Sequence, residues 1–144
     1  MNDLNVETYL PHRGRMRLID TICHVSEDEA VTESIVNEQW PLFTDNHVNP
    51  IVLIELAAQT AGIYIAWKKE KKTERTGKER GWIVGISSAS FFIDRIRANS
   101  TISTHINASR SIDSYMKLNG QLYIGKNIAG EIGLQLFWVE SDDE

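Results

Sequence analysis

The sequence predicts an α+β fold, an antiparallel sheet of about six strands curled around one long central helix. Three observations lead there. Residues 50–67 are apolar on every side of a helix, so in water that helix has to be enclosed by other structure. Two strand-like runs come before it and four after it, separated by short polar turns. No other stretch carries a long helical period, so the sheet itself must close around the helix.

Residues 1–10 are short and acidic, with room for one helical turn, and lead into Leu10-Pro11-His12-Arg13-Gly14-Arg15-Met16. Residues 16–25 and 30–36 read as two strands of a hairpin across the acidic turn Ser26-Glu27-Asp28-Glu29. Residues 37–49 hold Trp40, Pro41, Asp45, Asn46, His47 and Asn49 without a sustained period, as a loop feeding the helix does. Pro50 suits the first helical turn, where its missing N–H is no loss, and Lys68, Lys69, Lys71 and Lys72 suit the C-terminal end. A membrane span competes for this run, but it only just reaches the necessary length and places Glu55 in its middle, which is costly in lipid.

Beyond the glycines at 77 and 81, residues 82–86 and 89–93 form one long or interrupted strand. Ile102, Thr104, Ile106 and Ala108 alternate with polar residues, and residues 115–123 and 128–139 are further strands joined by the turn Gly125-Lys126-Asn127. In the last strand Ile132, Leu134, Leu136 and Trp138 share a face.

With 144 residues the chain suits a single domain spanning 1–144, and its net charge of −5 argues against a general nucleic-acid surface. The single cysteine, Cys23, excludes an internal disulfide and reads as core; the start Met1-Asn2-Asp3-Leu4 has neither a basic leader nor an apolar run, so a cytoplasmic location is expected. No His, Cys or carboxylate pair has metal-ligand spacing and no glycine-rich phosphate loop is present, so neither metal nor cofactor is expected.

The order of elements, Leu10-Pro11-His12-Arg13 near the start and Glu55-Leu56-Ala57-Ala58-Gln59 in the helix resemble the hot-dog fold β-hydroxyacyl-acyl carrier protein dehydratases of the FabZ type. Gly85-Ile86 and Phe91-Phe92 also match, and the resemblance runs from about Val6 to Val139. Within that group the chain looks most like the dehydratases of aryl polyene gene clusters. Two features depart from the pattern: the family's His-Phe-Pro-Gly segment is absent, and Asn49-Pro50-Ile51 stands where a glycine opens the helix.

The resemblance implies loss of water from a 3-hydroxyacyl thioester to give the trans-2-enoyl thioester, on an acyl carrier protein or coenzyme A. Glu55 is the candidate general acid, desolvated by its apolar helix, or else a buried carboxyl bonded to a structural partner. His47, eight residues earlier, is the candidate base at the α-carbon, most naturally working with Glu55 of a neighbouring subunit, or else a solvent-exposed loop histidine. Gln59 either orients Glu55 from one turn away or bonds a sheet carbonyl. His12 and Arg13 brace the loop beside the site, and Pro50 and Ile51 line its substrate side, where free N–H groups of the helix N-terminus would meet the enolate oxygen. His24 and His105 read as ordinary strand residues. Arg13, Arg15, Arg17, Arg95 and Arg97 are candidates to face an acidic carrier. A homodimer or higher homo-oligomer, or a hetero-oligomer, is expected because an open sheet leaves an edge. A hot-dog thioesterase and a non-catalytic acyl-binding partner are the alternative functions.

Overall fold

The computed structural model describes residues 4–76, 80–112 and 115–140, with side chains except at 72–76, 80–83, 110–112 and 138–140. A short helix α1 (Val6–Tyr9), capped where the Asn5 side chain accepts the Glu7 N–H, and a 3₁₀ turn (Gly14–Met16) precede the hairpin β1 (Thr21–Val25) and β2 (Glu29–Ile35). Then come β3 (Phe43–Thr44), β4 (His47–Val48), the central helix α2 (Val52–Thr76), β5 (Arg80–Phe91) and β6 (Ile96–Arg97). The chain continues through β7 (Thr101–Ile112), β8 (Tyr115–Ile124) and β9 (Asn127–Glu140).

Six strands pair antiparallel in the order β1-β2-β7-β8-β9-β5, and β3-β4-β6 form a separate small sheet. The α2 helix lies against the inner face of the large sheet. That face alternates as the sequence predicts, with Ile102 and Ile106, Leu118 and Leu122, and Ile132, Leu134 and Leu136 buried. They meet Leu53, Leu56, Ala57, Thr60, Ile63 and Tyr64 of the helix, all 1% exposed or less. Each such aliphatic side chain contributes about 1.5–3 kcal/mol by leaving water. Close seating of the helix depends on two glycines: a Cβ at Gly120 would lie 3.0 Å from Ile106, and one at Gly130 only 2.8 Å from Leu53.

Two polar contacts fix the helix rotation. The Thr32 and Thr60 hydroxyls meet at 2.8 Å in the core, and the Tyr64 hydroxyl donates to the Glu27 carbonyl at 2.6 Å. Burial, aided by the Glu27 and Asp28 carboxylates, pushes the Tyr64 pKa up to about 12, so the phenol keeps the proton it donates.

Four local expectations change. The helix does not stop near Trp67 but runs to Thr76, because the Lys- and Glu-rich extension is made of good helix formers and needs no burial; the lysines at 68, 69 and 71 are therefore within it. Cys23 is exposed and not in the core: the ladder pairs Ile22 with Thr32 and His24 with Val31, leaving Cys23 as the extra residue of a bulge that breaks the alternation. The first strand starts at Thr21, not at residue 16, since residues 14–16 are a 3₁₀ turn. The loop before the helix contains β3 and β4, too short to show a period. No helix among the described residues is long and apolar enough to cross a membrane.

Candidate active site

Glu55 and Gln59 lie one helical turn apart, and together they gather the N-terminal segment onto α2. The Gln59 side chain is 1% exposed and fully occupied. Its Oε1 accepts the Leu18 N–H at 3.0 Å, and its Nε2 donates to the Met16 carbonyl at 2.7 Å and to Glu55 Oε1 at 3.0 Å. Gln59 thus contacts Glu55 from one turn away, while the backbone it bonds belongs to the entry segment and not to the sheet. His12 Nε2 stands 3.6 Å from the same Glu55 oxygen. Its Nδ1 is buried with no hydrogen-bond partner, so a proton there would be unsatisfied and the N–H belongs on Nε2, facing Glu55. With Oε1 facing two donors, Oε2 is the Glu55 oxygen left for other chemistry.

Glu55 opens onto a cavity of about 870 Å³, within the range of small-molecule sites. Its walls are Arg15, Met16 and Leu18 from the entry segment, residues 38–43 from the loop, and Ile51, Val52 and Glu55 from the helix start. Met16, Leu42 and Ile51 leave 67%, 56% and 49% of their surface exposed here, an apolar collar around a carboxylate. Leu42 holds a left-handed φ of 63°, unusual for a bulky residue. The carboxylate itself is less enclosed than its helix suggests, with 47% of the Glu55 side chain exposed.

The start of α2 differs from the expectation of free N–H groups. Ile51 N–H donates to the Asn49 side chain at 3.0 Å. Val52, Leu53 and Ile54 donate to the carbonyls of Asn49, Pro50 and Ile51 at 3.1, 2.9 and 3.1 Å. A tight first turn and the Asn49 side chain have consumed every donor there. Pro50 is buried in this turn and Ile51 lines the cavity.

The Arg13 guanidinium donates to the carbonyls of Leu10, His12 and Glu7, tying together the segment around it. Arg17 donates to the Ile19 carbonyl and pairs with Glu7 at 3.6 Å. His47 lies in the small sheet, opposite Arg97 of β6, with its Nδ1 3.1 Å from the Asp45 carbonyl and outside the walls of the Glu55 cavity. His24 pairs with Glu29 at 3.4 Å and His105 contacts Ser103 and the Tyr123 ring; neither lines the Glu55 cavity. Among the described residues no group of three His, Cys, Asp or Glu side chains could hold a metal ion. Of the residues that wall the cavity, Trp40 carried no sequence signal beyond its place in the loop, while Leu42-Phe43 resembles the family's segment upstream of its histidine.

A six-stranded antiparallel sheet around one long helix, with a carboxylate at a cavity mouth near the helix start, defines a hot-dog fold protein. The chain belongs to the ApeP-like dehydratase family, whose model for the ApeP dehydratase matches residues 4–140. Among curated proteins it is 42% identical over 78 residues to the 3-hydroxyacyl-(acyl-carrier-protein) dehydratase FabZ of Streptococcus sanguinis, covering 50% of this chain and 56% of that protein. The same enzyme of Streptococcus agalactiae is 44% identical over 68 residues, covering 44% and 49%. The chain thus spans about half the length of these relatives. Of solved structures, the dehydratase heterocomplex ApeI:P of Xenorhabdus doucetiae superposes with a TM-score of 0.77 at 16% identity, over 96% of this chain and 93% of that one. A putative thioesterase of Pseudomonas aeruginosa gives 0.59 at 18% identity, over 76% and 83%. Such low identities speak for the fold alone.

Proposed function

We propose that this chain removes water from a 3-hydroxyacyl thioester, carried on an acyl carrier protein or coenzyme A, to give the trans-2-enoyl thioester. The observation that carries this reading is Glu55 at the mouth of the cavity, with one oxygen held by Gln59 and the other open. A base takes the α-proton and the electron pair moves to the carbonyl oxygen. As the enolate collapses, the β-hydroxyl leaves with a proton from Glu55 as water. The base is His47, acting on the substrate held by Glu55 of a neighbouring subunit; its half-buried ring contacts Asp45 through Nδ1 only and lies outside its own subunit's Glu55 cavity. Gln59, His12 and Arg13 hold the acid and the entry loop, and Pro50 and Ile51 shape the substrate side.

A second subunit is part of this proposal. The strand β5 is an edge strand, and its Val84 and Ile86 share the inner face with Leu136 and Leu134 yet remain 42% and 46% exposed. An unpaired edge with an uncovered apolar face favours edge-to-edge pairing, with a second copy or with a related hot-dog chain. The free Cys23 suits a reducing, cytoplasmic setting.

The test is mass spectrometry of the purified protein with 3-hydroxyacyl and saturated acyl thioesters. Loss of water from the hydroxyacyl substrate alone supports dehydration. Release of the acyl group would make the chain a thioesterase, and no change in either would leave an acyl-binding partner.

A further inference from the structure

We propose that Arg15 is the catalytic group that stabilises the enolate oxygen, taking the place of the helix N–H groups that this chain has used up. The inference rests on the dehydration reading and concerns the half of the reaction that Glu55 does not serve. When the α-proton leaves, its electron pair goes to the thioester oxygen, and that charge needs a donor until the β-hydroxyl departs. The first-turn N–H groups of α2 are bonded to Asn49 and to carbonyls within the same turn. Both N–H groups of Gln59 are in use, and the neighbouring Arg13 and Arg17 are engaged with carbonyls and with Glu7.

Arg15 is the one cationic residue in the wall of the Glu55 cavity, and among the described residues its side chain has no hydrogen bond or ion pair. The side chain is exposed, but the backbone that carries it is held near the acid. The adjacent Met16 carbonyl is 2.7 Å from Gln59 Nε2, which is 3.0 Å from Glu55 Oε1, so the two oxygens are at most about 5.7 Å apart by addition. An arginine one residue from that carbonyl starts within side-chain reach of the acid. Gly14, with a left-handed φ of 57°, makes the turn that carries Arg15 between its two anchored neighbours.

The experiment compares wild type, Arg15→Lys and Arg15→Met in the assembled protein, on 3-hydroxyacyl thioesters of coenzyme A and of pantetheine, which lacks the phosphates. For an oxyanion donor, Arg15→Met lowers kcat by about 10²-fold on both substrates with KM little changed. Arg15→Lys recovers part of the loss, since a point charge replaces the fork. Circular dichroism and melting confirm that each variant is folded. Retained kcat in Arg15→Met overturns the inference while leaving the dehydratase reading intact. A loss confined to KM, and only on the coenzyme A substrate, overturns it in favour of a phosphate contact. Absence of wild-type turnover on both substrates and on the same 3-hydroxyacyl group carried by an acyl carrier protein removes the dehydratase reading and the inference with it.

Discussion

Replacing Gln59 by leucine separates the structural from the catalytic consequences of one side chain. The shape is nearly kept, but three hydrogen bonds vanish together. Leu18 is 2% exposed, so its N–H is left buried without an acceptor, at about 1–3 kcal/mol. Met16 is 67% exposed, so its carbonyl can turn to water at little cost. At about 4 °C per kcal/mol for a chain of this size, the melting temperature should fall by roughly 4–12 °C. Glu55 Oε1 at the same time loses its 3.0 Å donor and with it the orientation of the acid. The expected kinetic cost is about tenfold or more in kcat, because a displaced acid no longer meets its proton acceptor. Calorimetric melting and steady-state dehydration on the same preparation read both quantities. A variant that melts within about 1 °C of wild type and turns over at the wild-type rate would refute the network as the link between the entry segment and the acid.

Glu55→Gln should lower kcat by at least about 10²-fold, since an amide has no acidic proton. Because the side chain is 47% exposed and an amide oxygen still accepts from Gln59, its melting point should hardly move; full activity would end the role of Glu55 as acid. His47→Ala should cost a similar factor if His47 is the base, and a loss under about threefold would exclude it. Light scattering should find at least a dimer of the 16.4 kDa chain, and Ile86→Lys should shift it toward monomer. A wild-type mass that stays at one chain over a wide concentration range would refute the edge pairing.

The fold was legible because two periods settle it. The helix of residues 50–67 is apolar all round, and the strands alternate so cleanly that Ile132, Leu134 and Leu136 could be assigned to one face before any pairing was known. Glu55 and Gln59 were legible for a related reason, being a carboxyl and an amide one turn apart in a run that is otherwise almost wholly apolar. The motif resemblance then carried the class of chemistry. Local propensity erred where burial did not decide: the polar end of α2 extends further than its apolar stretch, and Cys23 leaves the core through a bulge that no pattern announces.

Only the tertiary structure decided which groups meet. His12 is 43 residues from Glu55 in the chain by the difference of their numbers, yet the two side chains lie 3.6 Å apart because Gln59 pins the Met16 and Leu18 backbone to the helix. Arg13, Arg15 and Arg17 are equivalent in composition, and only their partners distinguish two anchored side chains from one that borders the cavity. The donors at the helix start look free in a sequence with Pro50, but a tight turn and Asn49 use them all. The sequence therefore determined the elements and the position of the candidate carboxylate, through periodic burial along the chain. The surroundings of that acid depend on contacts between distant segments, which no local period encodes.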